Sequence, residues 1–225
     1  MTLKARITNA TLRTLFRLFF KIDRREFDKM PRSGPFMIIA NHTSTFDGPL
    51  MYVFMQPRKM IAMAKQELWD HWFTRYIMNL WESIPVDREN IGRQTMEQCF
   101  EVLDRKDILA IAPEGTRSKD GCLQQGKAGV AFIAHKKQVP MVPIVITGFE
   151  RFKQHIRRCR RTPLTIRIGK PFRIVQGTGR LDASGRERLI EEIMLRLADL
   201  MPASHRGFYA DHQVEYTLTC ESDLA

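Results

Sequence analysis

Cysteine is scarce in this chain and spaced for no obvious purpose. Cys99, Cys122, Cys159 and Cys220 are the four among 225 residues, with no C-x-x-C pair and no histidine at ligand spacing. That argues against a structural zinc site or a disulfide framework, so a reduced, cytosolic setting is expected. The six histidines form no ligand cluster either, and no metal is expected. Long apolar runs are also missing: none approaches the roughly 18–20 residues needed to cross a bilayer. Arg13 and Arg17 interrupt the apolar N-terminal segment, so no signal peptide is expected. There is no internal repeat and no low-complexity tract. Acids are in deficit, 25 against 36 Lys and Arg, which leaves a net charge of +11 and a surface suited to anions: nucleic acid, anionic lipid or a phosphorylated substrate.

What is present reads as one folded domain of ordinary to large size, with 44% hydrophobic residues to supply a core. Residues 8–22 have helical periodicity. Leu12, Leu15, Phe16, Leu18, Phe19, Phe20 and Ile22 fall on one broad arc, and Arg13, Arg17, Lys21 and Arg24 on another. This pattern fits an interfacial membrane helix, and equally a helix packed on the domain with a solvated basic face. Apolar runs near 36–40, 59–64, 83–86, 107–112, 140–147 and 163–169 predict strands; periodic segments near 47–56, 66–81, 90–105, 126–137 and 184–201 predict helices between them. The alternation argues for an α/β domain, a mixed central sheet flanked by helices, with functional groups at the carboxyl ends of strands. The expected division is a helical segment over 1–30, the α/β domain over 31–204 and a polar, irregular tail over 205–225. Within Arg151–Arg161 six Lys and Arg stand with no acid, a run that suits an anionic membrane surface or simply a solvated face.

The chemistry is concentrated at predicted strand ends. Phe36–Ala40 opens into Asn41-His42-Thr43-Ser44-Thr45-Phe46-Asp47. On one continuous helix, His42 and Asp47 would diverge by about 140°. If the strand ends near His42 and a helix starts near Ser44 or Thr45, Asp47 lies in its first turn. Its carboxylate can then orient one imidazole nitrogen and leave the other as a base. Ser44 is expected to cap that helix. Further on, Pro113-Glu114-Gly115-Thr116-Arg117-Ser118 offers a glycine that permits a tight turn and close approach of a ligand to backbone N–H groups, and a guanidinium suited to phosphate. Arg88 and Lys65 follow two other strands and add two cations.

Together these blocks, with Ile84-Pro85-Val86-Asp87-Arg88 and Val142-Pro143-Ile144-Val145-Ile146, stand in the order of the four blocks of the glycerolipid acyltransferase family. The chain most resembles the lysophosphatidic acid (1-acylglycerol-3-phosphate) acyltransferases, from about residue 8 to 200. The resemblance implies His42 as catalytic base and Asp47 as its partner. It implies that Lys65, Arg88 and Arg117 hold the acceptor's phosphate, and that Glu114, Gly115 and Thr116 shape the substrate site. It also implies an acyl-CoA or acyl carrier protein thioester as donor, no tightly bound cofactor, and a peripheral or monotopic enzyme of phospholipid synthesis on the cytoplasmic side of an anionic membrane. Lyso-ornithine lipid, another lysolipid and glycerol-3-phosphate remain alternative acceptors. A basic nucleic-acid-binding module is the distant alternative, and it lacks any recognisable motif. Ala112 stands where the family usually has an aromatic, and Trp69-Asp70-His71-Trp72 lacks the Pro/Gly turn of many members.

Overall fold

The computed structural model describes residues 2–87, 91–177, 179–212 and 215–222. Arg88, expected at the site, lies outside the described residues. The chain opens with α1 (Leu3–Phe19), whose first turn is capped by Thr2 Oγ1 accepting from Ala5 N–H at 3.2 Å. It then forms β1 (Phe20–Lys21), a turn of 3₁₀ helix, and β2 (Phe36–Ala40). Next come α2 (Asp47–Phe54), β3 (Met60–Lys65), α3 (Trp72–Leu80), β4 (Ile84–Val86), α4 (Arg93–Asp104) and β5 (Ile108–Ile111). The remaining elements are α5 (Gly129–Lys137), β6 (Met141–Thr147), α6 (Phe152–Arg157), β7 (Thr162–Pro163), β8 (Thr165–Ile168), β9 (Phe172–Ile174), α7 (Ala183–Ala198) and β10 (Thr219–Glu221).

An eight-stranded mixed sheet runs β10-β9-β6-β2-β5-β3-β4, with β8 also on β6. The five strands β6, β2, β5, β3 and β4 pair in parallel, whereas β8, β9 and β10 pair antiparallel with their neighbours. Parallel strands require crossovers, and the helices between them bury both sheet faces. The side-chain alternation of a strand then feeds two cores. Met37 and Ile39 of β2 join α4, α5 and α7, while Phe36, Ile38 and Ala40 join α1, α2 and α3. Because β2, β3, β4 and β5 are parallel, their carboxyl ends share one edge of the sheet, and the predicted site residues among those described stand at or after the ends of β2, β3 and β5.

Several expectations need correction. The first helix spans Leu3–Phe19 rather than 8–22 and splits its apolar residues. Phe16 is buried and Leu12 packs on the same core, while Leu3, Ile7, Leu15 and Leu18 are exposed. Phe20, expected in the helix, is instead in β1 and pairs with Thr162. The single helix expected over 66–81 is broken at Asp70–His71. Thr74 Oγ1 donates to Leu68 C=O and Arg75 Nε donates to Trp69 C=O, each at 2.5 Å, so side chains satisfy the carbonyls that a continuous helix would use. Residues 205–222 are not irregular throughout. β10 extends the sheet, and buried Glu192 of α7 accepts from Thr217 N–H, Leu218 N–H and Thr219 Oγ1 at 2.9–3.0 Å. The short strand β9 and helix α6 had no periodicity long enough to announce them. Among the described residues, no helix is long and apolar enough to cross a membrane.

Candidate functional site

The turn between β2 and α2 is fastened at three points. Asn41 continues the β2–β6 pairing with its side chain: Nδ2 donates to Ile146 C=O at 2.9 Å, and Oδ1 accepts from Ile146 N–H at 2.8 Å. His42 N–H donates to Glu114 Oε1 at 2.7 Å, and Ser118 N–H donates to His42 C=O at 2.8 Å. The two motif-bearing strand ends are therefore tied to each other through the backbone of His42.

Asp47 begins α2 and is 2% exposed. Its Oδ2 accepts from Thr43 N–H and Ser44 N–H, both at 2.8 Å, and lies 3.0 Å from His42 Nδ1. An oxygen already accepting two backbone donors is an acceptor for the ring as well, so Nδ1 is the donor, and in the neutral ring the lone pair is then on Nε2. The strand ends at Ala40, before His42, and the helix starts at Asp47 itself. Phe46 is the residue before the helix, so Ser44 is not its cap; Ser44 Oγ accepts from Phe46 N–H at 3.1 Å within the turn.

A cavity of about 140 Å³ opens at this point. His42, Asp47, Lys65, Gly115 and Lys127 supply its polar rim, and Met51, Met63, Ile91, Met96, Val130 and Ile133 are among its apolar walls. Lys65 Nζ also pairs with Glu67 at 2.5 Å. Glu114 is placed differently from the expectation. It is buried behind the turn, with Oε1 on His42 N–H and Oε2 accepting from Gln124 N–H at 3.0 Å. Burial raises its carboxyl pKa, and the two backbone donors oppose that rise. Its evident work is to hold main chain. Thr116 and Arg117 are exposed on the outside of the same turn, and neither is among the cavity-lining residues.

Lys127 was missed in the sequence. It stands in Gly126-Lys127-Ala128-Gly129, just before α5, and its N–H donates to Pro113 C=O at 2.9 Å. A lysine between glycines at the mouth of a predicted helix was the available signal; its closeness to Gly115 is purely tertiary.

The acyltransferase family model matches residues 21–147. The chain is 30% identical over 138 residues to a 1-acyl-sn-glycerol-3-phosphate acyltransferase of Limnanthes douglasii, covering 60% of this chain and 49% of that protein. The human 1-acyl-sn-glycerol-3-phosphate acyltransferase alpha is 29% identical over 137 residues, covering 59% and 47%. The chain thus spans about half the length of these curated relatives. The Bacillus subtilis 1-acyl-sn-glycerol-3-phosphate acyltransferase is 27% identical over 146 residues, covering 64% and 70%. Among solved structures, the LPA acyltransferase PlsC of Thermotoga maritima superposes with a TM-score of 0.59 at 24% identity, over 84% of this chain and 76% of that one, and supports the mixed α/β fold. Since the family match takes in more than half of the residues and contains the whole β2–β6 framework with its cavity, the chain belongs to the acyltransferase family.

Proposed function

We propose that this protein transfers an acyl chain from a thioester to the free hydroxyl of a lysophospholipid such as 1-acylglycerol-3-phosphate. The observation that carries this reading is an imidazole oriented by a buried carboxylate at the head of a cavity with a cationic rim and apolar walls. At neutral pH an alcohol is a weak nucleophile. His42 Nε2 takes its proton as the oxygen attacks the thioester carbonyl, and Asp47 stabilises the imidazolium that forms; such base catalysis is worth about 10² to 10⁴ in rate. The tetrahedral intermediate then collapses, the C–S bond breaks, and the departing thiolate receives the proton held by His42. No acyl-enzyme is required. The methionine-rich wall suits an acyl chain, because unbranched thioethers adapt to irregular apolar contacts. Lys65 and Arg117 hold the acceptor's phosphate near the rim.

The test is a matrix of acyl-CoA and acyl carrier protein donors against lysophosphatidic acid, lyso-ornithine lipid, other lysolipids and glycerol-3-phosphate. Turnover that is much faster with phosphorylated acceptors than with unphosphorylated ones is the expected outcome. Turnover with none would remove the reading.

We also propose that the protein works peripherally on an anionic membrane, on its cytoplasmic side. Leu3 (70% exposed), Ile7 (59%) and Leu18 (61%) of α1 show apolar area to solvent, as does Trp72 of α3 at 74%. The two helices meet where Thr8 Oγ1 and Tyr76 Oη lie 3.2 Å apart, so these side chains belong to neighbouring elements. The basic Arg151–Arg161 run is largely exposed. Deleting α1 would confuse matters, because Phe16 and Asn9 are buried. Ile7→Ser with Leu18→Ser is cleaner: co-sedimentation with phosphatidylglycerol vesicles should fall severalfold while the melting temperature holds. Undiminished co-sedimentation would assign those side chains no membrane role.

A further inference from the structure

Lys127 and Gly115 meet in a way that no sequence spacing advertises. Gly115 has φ +70°, and a Cβ built on it would come within 2.9 Å of both Cδ and Cε of Lys127 and 3.2 Å of its Nζ. The lysine stem therefore lies along the bare backbone of the Pro-Glu-Gly turn. Its main chain is held too. Lys127 N–H reaches Pro113 C=O at 2.9 Å, and Gly126 N–H donates to buried Tyr209 Oη at 3.0 Å. A Cβ on Gly126 would stand 2.6 Å from Met194 Cγ, so this stretch has no room to shift toward α7. The result is an exposed lysine that lines the cavity together with His42, Asp47 and Lys65. Lys65 is already engaged by Glu67, and among the described residues no carboxylate pairs with Lys127 in the same way.

We propose that Lys127 binds the phosphate monoester of the acceptor, and that Gly115 lacks a side chain in order to seat it. The inference rests on the acyltransferase reading of the cavity. It gives Gly115 a different task from the one its sequence implied. The glycine accommodates a cation instead of letting a ligand approach its N–H. A phosphate monoester carries between one and two negative charges at pH 7. Lys65 and Arg117 together do not enclose such a group, because Arg117 stands outside the cavity lining and Lys65 shares its charge with Glu67. Lys127 supplies a cation from the cavity side, as a compact point charge with three donors.

Two measurements test it. The first is calorimetric affinity for glycerol-3-phosphate, which needs no turnover. Lys127→Ala should weaken it about tenfold, the scale of one charge-assisted hydrogen bond, and Lys127→Arg should recover most of the loss. The second is steady-state kinetics with lysophosphatidic acid and with monoacylglycerol as its unphosphorylated counterpart. Lys127→Ala should raise KM for the former about tenfold and for the latter by a clearly smaller factor. Gly115→Ala should reproduce the KM rise in the parental protein and add little in the Lys127→Ala background, whatever backbone strain it brings to both. Equal losses on both acceptors, or a Gly115→Ala effect undiminished without Lys127, would overturn the proposal. Intact phosphate affinity that depends on Lys127, in a protein that acylates nothing, would instead remove the acyltransferase reading and leave the phosphate site standing.

Discussion

His42→Gln should lower turnover by about 10³ or more while the protein remains folded, since a well-placed general base contributes about 10² to 10⁴ and an amide cannot act as one. The reason to expect an intact scaffold is specific. The bonds that fix this turn use the backbone of residue 42, through Glu114 Oε1 and Ser118 N–H, and none of them uses the ring. Among the described residues the imidazole makes one hydrogen bond, to Asp47, and its side chain is 20% exposed, so exchanging it opens no large cavity. Thiol release from acyl-CoA gives the rate, and a melting curve gives the control. Parental turnover would refute the base assignment outright. A collapsed melting temperature would show that the ring does structural work which the hydrogen bonds do not reveal.

Asp47→Asn should be comparably damaging to turnover, since a neutral amide in place of the acid behind a catalytic histidine costs about 10⁴. Here some loss of stability is expected as well. Asp47 Oδ2 gathers Thr43 N–H, Ser44 N–H and His42 Nδ1, and Oδ1 is buried without a partner among the described residues. An amide oxygen can keep the two backbone donors, but its NH₂ then occupies the place of the unpartnered oxygen, where a buried unsatisfied donor costs about 1–3 kcal/mol. The charge is also gone when the imidazolium forms. Turnover and the melting curve together separate these effects. The buried amide should lower the melting temperature modestly, while turnover falls far more than that loss of folded protein accounts for. A loss of turnover that merely tracks the melting temperature would assign Asp47 to holding the turn alone.

Much of the site could be read from the chain. The run Phe36–Ala40 was a strand with the bounds expected, because five consecutive buried residues leave no ambiguity of face. Asp47 fell in the first turn of its helix for the reason foreseen: strand, bend and helix bring together two residues that a continuous helix would separate. What the sequence hid was tertiary. Glu114 looked like a substrate ligand from its motif, yet its oxygens serve His42 N–H and Gln124 N–H, partners 72 and 10 residues away. Lys127 was one of 36 cations until Gly115 was seen beneath it. The break at Asp70–His71 depends on Thr74 and Arg75 reaching back to Leu68 and Trp69, a contest between side chain and backbone that periodicity cannot register. Strand β10 pairs with β9 across α7, and neither short strand carries a period of its own.

The two-sided character of α1 constrains how this protein meets a surface. Phe16 and Leu12 point into the domain, and Arg13 donates through Nε and Nη2 to the carbonyl of Val53 at 3.1 and 2.7 Å. Prising the helix away would uncover Phe16 at about 1.5–3 kcal/mol and strand that guanidinium contact besides. The helix therefore cannot behave as a tethered float that swings out to find lipid. On the proposed peripheral reading it would land as part of one stiff hull, and the angle at which the hull settled would also set the angle at which the mouth of the cavity meets its substrates.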